Sequence, residues 1–276
     1  MTRLALDHLT IVDSTPVELA QAAAANDCEG ICLFMQSMDA LPFMPSFNLI
    51  QDTAARRFLK RQMDDLGLTL ELAYPFTLSG RTDVASFIPA LECAAELKAQ
   101  LLNVLIYDRD PIWRREKFAH FCELANSFNL RVALEFYPAS QVRSLSESLE
   151  IVLEIDQPGK VGVNVDLLHL MRSGAAITDV ANAPHGSVLF GQFADGPIVR
   201  PHTEWEFEAS SDRLLAGEGD FDFSRFACAL PLDCPVSVEI PSNKVLRSGL
   251  DQGERARVAI NSVRNALAGD ALPQPS

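Results

Sequence analysis

Along the chain, short runs of apolar and β-branched residues alternate with longer stretches in which apolar positions recur every three or four residues. The short runs are LALDHLTI (4–11), EGICLF (29–34), LTLELAY (68–74), LLNVLIY (101–107), RVALEFY (131–137), VGVNVD (161–166), SVLFGQFAD (187–195) and PVSVEI (235–240). They have the length and composition of strands buried on both faces. Between them lie segments such as TPVELAQAAAAN, DTAARRFLKRQMDDLG, VASFIPALECAAELKAQ and DPIWRREKFAHFCELANSFN, whose spacing is helical. Start signals support several of these helices: Ser14, Thr15 and Pro16 precede one, Asp52 and Thr53 another, and Ser144 with Glu147 matches a capping box.

Eight alternations of strand and helix predict parallel strands with crossover helices, and eight such units close a (β/α)8 barrel. A doubly wound open sheet would carry a glycine-rich phosphate loop after its first strand. The chain reads VDSTPVE there, without glycine. The expected architecture is therefore α/β, a single-domain TIM barrel over residues 1–268, with 269–276 (GDALPQPS) as a flexible tail. No internal repeat, low-complexity tract or interdomain linker interrupts it. Two connections are longer than the rest: 35–52, rich in Met, Phe and Pro, and 196–216, which holds Arg200, His202, Trp205, Ser210, Ser211 and Arg213. Both leave the C-terminal end of a strand, the catalytic face of this architecture.

The polar residues at those strand ends change the picture. The fifth strand ends with Glu135, the sixth with Asp166, the seventh carries Gln192 and Asp195, and the eighth ends with Glu239. In a closed parallel barrel these ends converge, and three carboxylates cannot all stay ionised in a poorly solvated place without a cation. No lysine or arginine stands at the neighbouring strand ends to pair them. A divalent metal resolves the conflict, and three carboxylates with one amide oxygen suit Mn²⁺ or Mg²⁺ better than Zn²⁺. His169 follows Asp166 by three residues, within reach of it. Other roles stay open at this stage: Asp166 as a helix N-cap, Gln192 as a hydrogen-bonding barrel residue, His169 as a solvated or capping imidazole.

Composition narrows the partners. Of 276 residues 48% are hydrophobic, enough for one large core, and the formal net charge of -14 argues against nucleic acid and anionic membrane surfaces. No apolar stretch approaches the ~18 residues of a membrane span. Asp7 and His8 interrupt the apolar start where a signal peptide needs a continuous one, so the cytoplasm is the expected location. The six cysteines form no C-x-x-C pair and mostly sit in apolar segments, which points to reduced core thiols.

ALEFYP, VNVDLLHLMRSG, FGQFADGP, LLAGEGDFDF and SVEIPSN, in that order and spacing, resemble the xylose isomerase-like TIM barrels, the sugar isomerase/epimerase superfamily. The motifs are closest to those of bacterial 3-dehydroshikimate dehydratases. The resemblance implies Glu135, Asp166, Gln192 and Glu239 as ligands of one divalent metal, Mn²⁺ or Mg²⁺ with Zn²⁺ or Co²⁺ as substitutes. It implies His169 as acid/base beside the substrate, together with Glu135 or Glu239, and Arg213 approaching an anionic or hydroxyl group. Tyr74, His8 and Trp205 are candidates for the substrate wall. The activity implied is isomerisation, epimerisation or dehydration by proton abstraction next to a carbonyl, on a small hydroxyketone or keto acid.

The chain departs from those dehydratases after the third strand, where they place an arginine and this sequence has Tyr74, Pro75, Phe76 and Thr77, with Arg81 four residues on. The second strand ends in CLFMQ, without the Glu often seen there in epimerases. Endonuclease IV, also of this superfamily, needs a histidine-rich zinc cluster and a DNA-compatible surface, against five histidines and a charge of -14 here. The reading from another class is a non-catalytic barrel that binds a polyol or serves as a subunit of a larger enzyme. The apolar loop ALPFMPSFNLI (40–50) is either a lid or a contact between copies in a homo-oligomer.

Overall fold

The structure, a computed structural model, describes residues 3–200 and 204–269. Eight parallel strands form a closed barrel in sequence order: β1 Leu4–Asp7, β2 Gly30–Phe34, β3 Thr69–Leu78, β4 Leu101–Ile106, β5 Arg131–Glu135, β6 Val161–Asp166, β7 Val188–Phe193 and β8 Val236–Val238. The main crossover helices are α1 Pro16–Ala25, α2 Thr53–Asp65, α3 Ile88–Glu96, α4 Pro111–Ser127 and α5 Leu145–Ile155. Shorter helices follow in the second half: α6 Leu167–Arg172, α7 Ile177–Ala181, α8 Trp205–Ser211, α9 Phe223–Ala229 and α10 Asn243–Leu246. The last, α11, spans Gln252–Gly269, so the helix reaches the first residue assigned to the tail, and residues 270–276 lie outside the described residues. Among the described residues no helix is long and apolar enough to cross a membrane.

The predicted caps have identifiable partners. Thr15 and Glu18 complete a reciprocal capping box, and Asp52 accepts from the amides of Ala54 and Ala55. Ser144 accepts from the Glu147 amide, but the Glu147 carboxylate turns back to the Arg143 amide, so that box is only half formed.

Two hydrophobic layers result. Leu19, Leu91, Phe121, Val152 and Ile260 belong to the shell between barrel and helices. Ala5, Cys32, Leu72, Leu101, Ala133, Leu189 and Phe190 fill the barrel itself. Alternation then decides what stands above them: one layer higher the inward residues include Asp7, Asn103, Glu135 and Gln192, and ladder pairing brings Glu135 beside Asn164 and Asp166 beside Gln192. Five of the six cysteines are buried and Cys228 is exposed.

Two strand boundaries differ from expectation. The third strand runs on past Tyr74 to Leu78; Pro75 is accommodated where the register with β4 shifts between Ala73 and Phe76. The first strand stops at Asp7, and His8–Ile11 form a single 3-10 turn capped by the Asp7 carboxylate.

Candidate active site

The C-terminal mouth of the barrel holds four buried carboxylates, Asp7, Glu135, Asp166 and Glu239, each no more than 7% exposed. Asp166 ends β6 and caps α6, its Oδ1 accepting from the His169 amide at 2.9 Å. That capping bond fixes the first turn of α6. It leaves the His169 ring with Nε2 3.5 Å from Glu135 Oε1 and Nδ1 3.8 Å from Asp166 Oδ1. The ring of Tyr137 packs on the imidazole, centroids 4.7 Å apart. Ligand atoms of Glu135, Asp166 and His169 lie within 4.8 Å of one another, a grouping able to hold a metal ion. Glu239 stands outside that grouping.

Arg213 joins the two halves. Its Nη1 donates to Asp166 Oδ2 at 2.6 Å and its Nη2 to Glu239 Oε1 at 3.3 Å, while Nε and Nη1 also reach the carbonyls of Ala209 and Glu239. This corrects the expectation that the strand-end carboxylates have no basic partner. Arg213, expected to approach the substrate, lines the cleft with its guanidinium held between these two carboxylates.

The arginine arrives by way of Asp195. That carboxylate accepts from the amides of Gly196, Gly217, Gly219 and Phe221, and Asp195 and Leu214 form a two-way backbone bridge. The turn needs glycine: Gly217 has φ +89°, and a Cβ on Gly219 would sit 2.4 Å from Asp195 Oδ1. Replacing Asp195 with Ala strips four amides of their acceptor and is expected to cost about 1–3 kcal/mol, with faster hydrogen exchange confined to Gly196 and 214–221. Unchanged exchange there would contradict the anchoring role.

A ladder of side chains crosses the barrel beneath the carboxylates. Asn103 donates to Glu135, Asn164 donates to both Asn103 Oδ1 and Gln192 Oε1, Gln192 Nε2 faces Asp7 at 3.4 Å, and Tyr74 donates to the same Asp7 oxygen. Asp7, Asn103 and Asn164 were not singled out from the sequence. The signal was present as polar residues inside LALD, LLNVLIY and VGVNVD, at the positions that alternation turns inward.

A cleft of about 300 Å³ opens above this layer, and Tyr74, Glu135, His169, Gln192, Arg213 and Glu239 all line it. The loop after β2 contributes Met38, Ala40 and Leu41 to its rim, while Met44 is buried and Phe43 half exposed. Two wall candidates are placed elsewhere. His8, one residue past the strand end, is fully buried, its Nε2 3.0 Å from the Ser14 carbonyl and its ring stacked on Phe47. The inward position at the end of β1 belongs to Asp7, which Tyr74 and Gln192 contact. Trp205 is not among the cleft residues; its ring lies under the Arg200 guanidinium, 3.8 Å from it. His202 lies outside the described residues.

The electrostatics follow from four carboxylates facing one guanidinium. Burial, reinforced by Asp166, pushes Glu135 up to about 8; burial pushes Glu239 well above the carboxylate range against the pull of Arg213. Asp7 is raised by burial to about 6. Burial also acts upward on Asp166, yet Arg213 and the His169 amide outweigh it and hold this carboxyl low. His169 is pushed down to about 4 by burial, so its imidazole is neutral at pH 7.

No family model matches the chain, and no curated protein matches it in sequence. Solved structures do. A xylose isomerase-like TIM barrel/4-hydroxyphenylpyruvate dioxygenase fusion protein superposes with TM-score 0.77 at 18% identity, over 100% of this chain and 45% of its own. The chain thus spans less than half of that protein. The IOLI protein, solved with a bound zinc atom, matches with TM-score 0.77 at 16% identity over 98% of this chain and 99% of its own. The probable 3-DHS dehydratase AsbF, involved in petrobactin synthesis in Bacillus anthracis, gives 0.73 at 18% over 95% and 99%. The fold is that of the xylose isomerase-like TIM barrels. At such identities the likeness establishes the fold, and the chemistry has to be argued from the side chains.

In this xylose isomerase-like barrel the donor set suits a divalent cation on its own terms. It is rich in hard oxygens, it has an excess of buried carboxylates, and Glu239 Oε2 is buried without a hydrogen-bond partner. A pH effect follows for the metal-free protein. Between pH 4.5 and 8 native Glu135 keeps a proton that the unfolded chain has lost, so its contribution to stability is lost as pH rises through that window. His8 and His169, pushed down to about 4 from 6.5, act oppositely, but only below pH 6.5. Glu239, raised as well, acts in the same direction as Glu135, so stability in chelator should fall by about 2 kcal/mol or more between pH 6.5 and 8, and Mn²⁺ should flatten the slope. Urea unfolding at the two pH values checks this; equal stability in chelator would refute it.

Proposed function

We propose that the protein is an enzyme that removes a proton next to the carbonyl of a small hydroxyketone or keto acid, yielding an isomer, an epimer or a dehydrated product. The observation that carries this reading is His169: a buried imidazole, neutral at pH 7, facing a cleft beside two carboxylates. A neutral imidazole accepts a proton, and Asp166, whose carboxyl is held low and lies 3.8 Å from its Nδ1, stabilises the imidazolium that forms. Glu135, Asp166, Gln192 and Glu239 would hold one divalent ion, Mn²⁺ or Mg²⁺, with Zn²⁺ or Co²⁺ as substitutes. Such an ion, when bound, supplies a Lewis acid for the carbonyl oxygen. Asn164 and Asp7 keep the Gln192 amide in one orientation, and Arg213 does the same for the carboxylates of Asp166 and Glu239.

A zinc atom in the IOLI structure and a 3-DHS dehydratase among the similar folds support a metal-assisted reaction of this class. The test is solvent exchange. Protein loaded with Mn²⁺ or Mg²⁺ is incubated in D₂O with 3-dehydroshikimate, inososes and ketoses, and the α-proton signal is followed by NMR. Loss of that signal for at least one compound, abolished together with metal content in Glu239→Gln, is the expected result. Stoichiometric metal without exchange of any compound would favour the non-catalytic polyol-binding barrel instead.

A further inference from the structure

The cleft is chemically divided. On one side stand Glu135, His169, Gln192, Arg213 and Glu239; across the barrel the lining is mainly Leu9, Phe34, Met38, Leu41, Leu105 and Tyr107, with Thr77 and Asn103 as polar members. Phe34 packs edge-on against Tyr74, centroids 4.4 Å apart, which makes that wall rigid as well as apolar. Charge is divided too. Among the described lining residues the only cation is Arg213, already bound to Asp166 and Glu239, so no second cation awaits a carboxylate or phosphate.

From this division we propose that the substrate is an uncharged ketone bearing an apolar, ring-sized substituent, its hydroxy-carbonyl head at the carboxylate side and its substituent against the apolar wall. The proposal rests on the reading of the head group given above and deepens it. A free polyol presents hydroxyls in every direction, and each one buried against Met38, Leu41 and Leu105 would lose water without gaining a partner. An apolar ring gains from the same surface. Room for it exists: a smaller cavity of about 80 Å³ shares Leu9, Ala40, Leu41 and Ser210 with the main cleft. The smaller cavity adjoins the cleft at Leu9, Ala40 and Leu41, and none of the cleft's carboxylates lines it. The same wall gives the long apolar loop after β2 a task in recognition.

Hydroxamates, whose paired oxygens chelate a divalent ion, test the proposal by calorimetry on Mn²⁺-loaded protein. Acetohydroxamate carries no ring, benzohydroxamate adds an apolar ring, and 4-carboxybenzohydroxamate adds a charge to it. Benzohydroxamate is expected to bind at least about tenfold more tightly than acetohydroxamate. The 4-carboxylate should cancel that gain. Met38→Gln, on the rim of the cleft, should reduce it without altering acetohydroxamate binding, and Leu41→Gln provides a second variant if the first is unstable. Equal affinities for the first two probes, or tighter binding of the carboxylated one, would overturn the proposal while leaving the metal-centred head group intact. Failure of all three to bind would overturn both together.

Discussion

Turnover should fall by about 10²- to 10⁴-fold when His169 becomes Gln, the range that loss of a positioned general base or acid costs. The variant keeps a polar side chain of similar reach on α6, and the Asp166 cap is made by the residue 169 backbone amide, so the helix start survives. Burial holds the imidazole down at about 4, so the base form predominates across the neutral range and the wild-type rate should not rise through a histidine titration near pH 6.5. The measurement is the α-proton exchange rate in D₂O beside metal analysis of the same sample. A lower rate with full metal content assigns proton transfer to His169. Metal lost in proportion to activity would instead make His169 a ligand with Glu135 and Asp166, the grouping their proximity also allows.

Replacing Arg213 with Met should destabilise the metal-free protein by about 3–5 kcal/mol, the cost of leaving buried charges without their partner. The side chain is 2% exposed, and its guanidinium is the counter-ion of Asp166 and Glu239 together. Methionine fills most of the volume but supplies no charge and none of the hydrogen bonds to Asp166, Glu239 and the Ala209 carbonyl. With the arginine gone, Asp166 should also lose the influence that holds its carboxyl low, and part of the penalty should be relieved by lowering the pH. Urea unfolding of wild type and variant in chelator measures the difference, and Mn²⁺ should recover part of it. A change below about 1 kcal/mol would mean that the carboxylates are stabilised by something other than this guanidinium.

The barrel was legible because buried parallel strands announce themselves as apolar runs, and eight of them alternate with helical spacing. Glu135, Asp166 and Glu239 were legible for the opposite reason: a carboxylate closing an apolar run has no cheap explanation in a core. The ion pairs of Arg213 escaped notice because its partners lie 47 and 26 residues away along the chain. His8 was misjudged because the first strand, read as running to Ile11, ends at Asp7, and the chain there enters a 3-10 turn that buries the imidazole outside the cleft. The asparagine ladder escaped notice because a lone amide in VGVNVD looks like tolerated noise until its neighbours on adjacent strands are known.

The Asp195 anchor has an evolutionary consequence. The stretch between it and Arg213 is tied at its start by the Asp195–Leu214 bridge and at its end by the pairing of Asp212 with Ser242. Insertions or deletions between 198 and 207 would leave both ties, and the Ala209 carbonyl that receives the Arg213 Nε, where they are. Descendants of this sequence can therefore acquire new substrate preferences by rewriting that segment without retuning the charge balance of the carboxylates. Drift at Asp195, Gly217 or Gly219 has no such latitude, since each change there would displace the arginine itself.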